Sequence, residues 1–564
     1  MDGTHGAATL LVRWVDDLWQ AEPLLTSSGT RVKEEDCRVD DPTYDSAEWT
    51  PMKRKHSIVK QRFLLVLVLG LSAIWILHGL SGCAAQPGSV GVTTGGAKDI
   101  AYARATILDG GVPEPNSITV EGFVSEHSLP TVAPDGAGLL YLAATTAWHD
   151  DFDSFTPHAT LQIGFGSTID RATFRRPPLN LCLVIDRSGS MGNSIDFRSG
   201  TSKLEAVKVA VDRLASELNE DDLVSVVTFN EGSSVRLEAV GGDELGAINS
   251  AVDTLVPEGG TDLVAGLRRG YNVVQQHTSN DRMDRVFVFT DALLTDFNEF
   301  LTQLFLNVVR DYAGQNIGGT FFGVGTDFGQ DIAYEISQIR GGNYFFLSDY
   351  ERIVSVFEED FDFLVTPVAY DVSLRVAVHL TFDVTDVFGI PVEGPFPHEF
   401  RLNIPSLFLH SREGGGAIFV RARASAAMDF SQASEIAKLS LNYETPDGTR
   451  VAPPFLEPTL PAGLDPDART SHFQDDVTKR GVLLLNTALA MKAACDDVYE
   501  RFGDYYYSVN YGEGYQRAIS RLTEFLVYFD ELAAGLEDRL SPTSRSLSEE
   551  RALVAKLLSN LRGS

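Results

Sequence analysis

The sequence predicts an α/β protein: a doubly wound, mostly parallel sheet, flanked by β-rich segments and followed by a C-terminal helical pair. Three observations carry this. Between Leu181 and Leu347, short apolar runs alternate with amphipathic stretches, the pattern of a parallel sheet covered on both faces. On either side, period-two alternation punctuated by Pro, Gly, Asp and Ser reads as strands and turns. Near the end, long stretches with apolar residues at helical spacing read as helices that pair antiparallel.

A chain of 564 residues is too long for one ordinary domain and long enough for roughly two to four. Its 44% hydrophobic content is ample for a core and excludes a disordered chain. The formal net charge of -32 argues against nucleic acid or an anionic membrane surface as a general partner. Cys37, Cys83, Cys182 and Cys495 are too scattered for a disulfide framework or a C-x-x-C zinc site. Cys182 falls in an apolar strand and Cys495 on a helix, where each reads as a buried thiol.

In chain order, residues 1–51 hold Trp14, Trp19 and Trp49 and an acidic stretch at Glu34-Glu35-Asp36, without periodicity. They are expected to be a mis-assigned extension, with translation starting at Met52. Next, the basic flank Lys53, Arg54, Lys55, Lys60 and Arg62 precedes an apolar run over 63–80. A run of about 18 residues lies between a signal-peptide core and a comfortable transmembrane helix. It ends in Leu80-Ser81-Gly82-Cys83, which resembles the lipobox of bacterial lipoproteins. The resemblance implies a signal peptide at 52–82 and a lipid anchor on Cys83, joined to the body by a flexible tether at 83–99. An uncleaved signal anchor with an incidental Cys83 is the alternative. Both send the bulk of the chain out of the cytoplasm.

Residues 100–178 read as β-rich, with strands at 117–124, 138–143 and 159–165. The α/β stretch follows at 179–365. After the first strand, at 181–186, its further strands are expected at 223–229, 285–290, 319–324 and 343–347. Helices are expected at 203–218, 245–255, 263–276, 298–312 and 332–338, with an acidic amphipathic helix at 351–365. In such sheets, ligands bind beyond the carboxyl ends of the strands. At the first of these ends stand Asp186, Ser188 and Ser190, alternate positions that can converge. Three hard oxygen donors suit Mg2+, which prefers oxygen ligands.

The stretch 179–365 resembles a von Willebrand factor type A (VWA) domain with a metal-ion-dependent adhesion site. That site takes residues from three loops, and matching pieces occur in order. They are Asp186-x-Ser188-x-Ser190, then Gly259-Gly260-Thr261-Asp262 before a helix, then Phe287-Val288-Phe289-Thr290-Asp291 closing an apolar strand. The resemblance implies a Rossmann-like VWA sheet and a metal held by Asp186, Ser188, Ser190, Thr261 and Asp291. In that scheme Ser188, Ser190 and Thr261 are direct ligands, while Asp186 and Asp291 orient waters. The implied cofactor is Mg2+, or another divalent cation such as Mn2+ or Ca2+. Many bacterial relatives follow the last aspartate with a turn containing glycine, proline or asparagine. Here Ala292-Leu293-Leu294-Thr295-Asp296 predicts a bulkier loop.

Residues 366–449 return to β, with strands at 371–382, 417–424 and 436–443. They could form one β-sandwich with 100–178, into which the α/β stretch is inserted. Residues 450–472 read as a Pro-rich linker, and 473–564 as a helical region with helices at 475–502, 515–536 and 549–561. Between the first two, Tyr505, Tyr506, Tyr507 and Tyr511 offer either a binding surface or a packed loop.

Nucleophilic and nucleotide chemistry lack their motifs. Ser188 stands where a G-x-S-x-G elbow needs glycine, His398-Glu399 fails H-E-x-x-H, and no phosphate-cradling G-x-x-x-x-G-K-[ST] occurs. His149, beside Asp150 and Asp151, and His277 read as isolated surface residues. The expected function is therefore binding rather than catalysis. The resemblances imply a lipid-anchored protein of the bacterial cell envelope, facing outside the cytoplasm at the outer membrane or cell surface. Its VWA domain would use the metal to bind an Asp or Glu carboxylate of a protein ligand, with no nucleic acid or nucleotide partner. The alternatives are an envelope scaffold with metal-independent partners and, further off, a metal-dependent hydrolase.

Overall fold

The computed structural model describes residues 89–94 and 100–563, apart from 135, 153–155, 171–172, 196–199, 293–298, 326–329, 348–352, 354–355, 358–360, 391–393, 414–415, 503–504, 510–511 and 543. The expected extension, signal peptide and Cys83 lie outside the described residues.

The described chain opens with strand β1 (Ser89–Thr94), helices α1 (Ala101–Leu108) and α2 (Val120–Ser125), and the hairpin β2 (Leu140–Asp150) and β3 (Pro157–Asp170). Two expectations are corrected here. Residues 89–94, expected within the flexible tether, are a strand whose backbone pairs antiparallel on both edges, one of them with β3. Residues 117–124, expected as a strand, form a 3-10 turn and α2. The Thr119 hydroxyl accepts from the Gly122 N–H at 3.1 Å, an N-cap that starts the helix. Val120, Gly122, Phe123 and Val124 are all buried. Burial around the whole helix masks its period and leaves an alternation that mimics a strand.

The α/β unit runs β4 (Leu179–Asp186), α3 (Lys203–Ser216), β5 (Leu223–Phe229), β6 (Ser233–Gly241), α4 (Leu245–Asp253), α5 (Leu263–Gln276), β7 (Met283–Thr290), α6 (Glu299–Ala313), β8 (Gly318–Val324), α7 (Gln330–Ser337), β9 (Gly342–Leu347) and α8 (Phe361–Val365). Its sheet has the order β6-β5-β4-β7-β8-β9 and is parallel except for the β5–β6 pair. β6 has no apolar run because it is an antiparallel edge, half exposed along its length.

β4 lies inside the sheet and is buried at every position. Leu181, Leu183 and Ile185 pack in the core shared with α3 and α4, while Cys182 and Val184 join that of α5, α6 and α7. Burial of each such aliphatic side chain stabilises the fold by about 1.5–3 kcal/mol. α5 sits unusually close to the sheet through Gly266 and Gly270. A Cβ at Gly266 would stand 2.5 Å from the Phe229 ring, and one at Gly270 2.2 Å from Val184 Cγ2. That close approach fixes where the helix begins, and with it Thr261 and Asp262.

The chain then returns to β through β10 (Pro367–Val378), β11 (Phe382–Phe388), β12 (Glu399–Glu413), β13 (Ala417–Ala424), β14 (Ser434–Glu435), β15 (Ala437–Glu444), β16 (Arg450–Val451), β17 (Thr459–Leu460) and β18 (His472–Phe473). One antiparallel sheet has the order β11-β13-β3-β1-β12-β10-β15-β16, with β2 beside β3 and β18 beside β2. Strands from before and after the α/β unit thus share a sheet. They also share a core, in which Leu140, Leu161 and Ile163 pack with Val372, Leu374, Leu402 and Leu439. β1 is the joint, with β3 on one edge and β12 on the other.

Residues 450–472 are a fastened strap rather than the expected linker. β16 pairs with β15, β17 with β14 and β18 with β2, and Trp148 Nε1 donates to the Asp465 carbonyl at 2.7 Å.

The C-terminal region holds α9 (Asp476–Val498), the hairpin β19 (Tyr499–Phe502) and β20 (Tyr505–Val509), α10 (Glu513–Ala533) and α11 (Leu547–Gly563). The first helix stops short of the expected residue 502 because the backbone turns into that hairpin. The side chains of Tyr505, Tyr506, Tyr507 and Tyr511 lie outside the described residues. Leu484, Met491, Leu522, Phe525 and Leu557 pack with Ile107 of α1 and Phe123 of α2. The helical end is therefore built from both ends of the described chain. Among the described residues, no helix is long and apolar enough to cross a membrane.

Candidate metal centre

The β4 strand ends in Asp186, which is fully buried. One carboxylate oxygen accepts from the Ser188 N–H at 2.8 Å and the other from the Thr290 hydroxyl at 2.6 Å. Asp186 is thus tied to its own turn and to the end of the neighbouring strand β7. Burial pushes its carboxyl up to about 6, with the Thr290 and Ser188 hydrogen bonds pulling the other way.

From this anchor a run of oxygens crosses the strand ends. Ser188 Oγ lies 3.1 Å from Ser190 Oγ, and Ser190 Oγ donates to Asp291 Oδ1 at 2.9 Å. Ser188 is buried and Ser190 is exposed, so the run leads from the core to the surface. The second oxygen of Asp291 receives the ammonium of Lys203, at 2.8 Å.

The loop before α5 is stitched to this turn. The Gly189 N–H donates to the Gly259 carbonyl at 3.0 Å, and the Glu258 N–H to the Arg187 carbonyl at 2.8 Å. The Arg187 guanidinium reaches Glu258 at 2.5 Å. Gly259 has φ +77, which a residue with a Cβ rarely adopts. Half-buried Thr261 follows two residues later, and Asp262 caps α5 by accepting from the Ala265 N–H at 2.9 Å.

The structure therefore joins Asp186, Ser188, Ser190 and Asp291 through hydrogen bonds and sets Thr261 on the adjoining loop. Two participants were not assigned a part by the sequence. Thr290 was read only as the end of a strand, and Lys203 only as the start of an amphipathic helix. The bulky loop expected after Ala292 lies outside the described residues.

His149 is not the surface residue that was expected. It is 1% exposed, with Nε2 2.9 Å from Thr160 Oγ1. Burial, together with the positive charge of Arg421, pushes its ring down to about 4, so it is a neutral core histidine of β2. Cys182 and Cys495 are free, buried thiols, each pushed up by burial.

Residues 181–293 match the family model described as von Willebrand factor type A domain. The α/β unit is a von Willebrand factor type A domain. Relatives of the chain include Uncharacterized protein YfbK of Escherichia coli, 24% identical over 301 residues, which are 51% of this chain and 49% of that protein. Uncharacterized protein sll0103 of Synechocystis sp. is 29% identical over 187 residues, 33% of this chain and 42% of that protein. The chain thus spans about half, or less, of the length of these relatives. Among solved structures, a von Willebrand factor type A protein from Catenulispora acidiphila is 14% identical with a TM-score of 0.44, covering 77% of this chain and 96% of that one. The ArnB paralog VWA2 from Sulfolobus acidocaldarius is 12% identical with a TM-score of 0.38, covering 75% and 98%.

The candidate donors in the type A domain are hard oxygens at the ends of β4 and β7, with Thr261 on the loop stitched to the first. Two of them are carboxylates and the rest hydroxyls, a set that fits a small oxygen-preferring cation.

Proposed function

We propose that the type A domain binds a divalent cation and, through it, a carboxylate of a protein partner. Ser188, Ser190 and Thr261 would hold the ion directly, with Asp186 and Asp291 orienting its waters. The bound ion, held mainly by neutral hydroxyls, supplies an electrophilic position that an Asp or Glu of the partner can fill. The observation that carries this reading is the hydrogen-bonded run from Ser188 through Ser190 to Asp291, lying beside the pinned Asp186. Thr290 and the Ser188 amide hold Asp186 in place, and the Gly189–Gly259 bond holds the Thr261 loop against the turn.

Calorimetric titration with Mg2+ and Mn2+ tests the metal. Asp186→Ala is expected to lose binding while its circular dichroism stays that of the wild type. Undiminished binding by that variant would refute the assignment. For the partner, affinity capture from envelope extract is run with and without chelator. Partners lost on chelation support adhesion through the ion, whereas a chelator-insensitive set favours a metal-independent scaffold.

The same reading places the domain in the bacterial cell envelope, outside the cytoplasm and anchored through a lipid on Cys83. Its support is the basic flank, the apolar run and Leu80-Ser81-Gly82-Cys83. Intact mass of the membrane-extracted protein tests it, with Cys83→Ser expected to release the chain from membranes. The role is binding, so a screen for hydrolysis with divalent ions is expected to return no turnover.

A further inference from the structure

Lys203 belongs to the centre, yet a metal-binding role assigns it no task. It is the first residue of α3, where a cation opposes a helix dipole that favours negative charge. It is also only 3% exposed, and burying an ammonium is unfavourable unless it is paired. One contact offsets both costs: Nζ stands 2.8 Å from Asp291 Oδ2, with the two side chains 4% and 3% exposed. The aliphatic stem runs in a fitted slot. Gly325, which follows β8 with φ +94, lies so close that a Cβ there would stand 2.6 Å from Lys203 Cε. The other oxygen of Asp291 accepts from Ser190, so one carboxylate serves both the ammonium and the hydroxyl run.

We propose that Lys203 is a built-in counter-cation that holds the divalent affinity of the centre low and leaves the loaded centre positive, so that it selects an anionic partner group. The proposal rests on the metal-binding reading above. With both carboxylates ionised, Asp186 and Asp291 bring two negative charges and Lys203 one positive. A divalent ion added to these three groups leaves a net positive charge, whereas without Lys203 it would leave none. The ammonium also repels the incoming ion and neutralises a carboxylate that would attract it. Charges this buried are little screened by salt, so both effects persist at physiological ionic strength. The excess positive charge then favours a carboxylate in the open position over a neutral donor such as a hydroxyl or an amide.

The test is Mn2+ titration of the full chain, read by calorimetry and by the paramagnetic resonance of free Mn2+. Lys203→Met keeps the stem and removes the charge, and is expected to bind about tenfold more tightly or better. Lys203→Arg keeps the charge and is expected to bind like the wild type. Thermal melts with and without Mn2+ add a second readout, in which Lys203→Met gains more from the ion than the wild type does. Should Lys203→Met fail to fold without metal, refolding in Mn2+ decides: recovery of the native circular dichroism supports the proposal, and no recovery overturns it. A wild type that binds while Lys203→Met binds equally or more weakly overturns this proposal alone. Absence of binding in both overturns the metal-binding reading itself.

Discussion

The amide of Gly189 donates to the carbonyl of Gly259 at 3.0 Å, so two loops of the centre move as one hydrogen-bonded unit. Gly259 makes this possible with φ +77, and a Cβ there would meet Asn230 Nδ2 at 3.0 Å. Gly259→Ala should therefore lose about 1–2 kcal/mol of stability from the left-handed backbone alone. It should also weaken Mn2+ binding, because Thr261 is carried on the same loop. Gly448→Ala is the control. That glycine has φ +84 with open space around it, so it should lose similar stability and leave metal affinity unchanged. Urea unfolding and Mn2+ titration of the two variants side by side separate backbone strain from loop placement.

At the opposite end of β4, stability and metal binding should come apart. Arg176 meets Asp222 in a two-pronged pair, at 2.8 and 2.6 Å, and both side chains are buried. Asp222 also accepts from the amides of Leu179 and Asn219, each at 2.7 Å. Asp222→Ala strands two amides and leaves the Arg176 guanidinium only Asp362, at 2.8 Å, and the Pro177 and Glu217 carbonyls, and should cost about 3 kcal/mol. Urea midpoints are expected to fall accordingly, while Mn2+ affinity measured well below the unfolding transition stays at the wild-type value.

These residues also indicate what the sequence could and could not disclose. The convergence of Asp186, Ser188 and Ser190 was legible because a buried strand ending in an acid and alternate hydroxyls leaves those groups little choice of place, whereas Asp291 was tied to them only by the resemblance to a VWA domain. β4, β5, β7 and β8 were legible as apolar runs long enough for a covered sheet. Lys203 was not legible, since a lysine opening an amphipathic helix ordinarily reads as solvated. Only the slot beside Gly325 and the position of Asp291 make it a buried charge. α2 was missed because it is buried on nearly every side, which erases the period by which helices are recognised. The strap at 450–472 is fastened by short pairings and the Trp148–Asp465 bond, contacts distant in sequence that no local pattern announces.

The α/β unit is latched to the antiparallel sheet through Arg340, between α7 and β9. Its guanidinium pairs with Asp371 at 2.7 Å and Glu444 at 2.8 Å, and lies 4.0 Å over the Tyr370 ring. The Gly341 N–H beside it donates to Ser406 Oγ at 2.7 Å. Because the latch is only partly exposed and stacks on an aromatic face, Arg340→Ala should cost about 1–2 kcal/mol. Amide hydrogen exchange should quicken at 367–371 and 440–444, with the core of β4 unchanged. Exchange that quickened uniformly would indicate global destabilisation in place of a local latch.

The helical end holds a buried charge cluster that should make stability sensitive to acid. Arg104 of α1 donates to Glu126 at 2.7 Å and to Glu550 of α11 at 2.8 Å, and His127 Nε2 lies 3.2 Å from the same Glu550 oxygen. Burial pushes the Glu550 carboxyl up, but Arg104 and His127 outweigh it and hold it down to about 2, below the ordinary 4.5. Glu126 is likewise held down by Arg104 and Arg545 against its burial. A carboxyl depressed in the fold contributes stability that is fully present above its unfolded pKa. That contribution is lost as pH falls through the window from about 4.5 to about 2, where the unfolded chain binds the proton first. For Glu550 it amounts to about 3 kcal/mol. Urea midpoints of the wild type should therefore drop steeply across that window. Glu550→Gln should start lower at neutral pH, because Arg104 loses a charge partner, and then decline less on acidification. Equal slopes for the two proteins would place the acid sensitivity elsewhere in the chain.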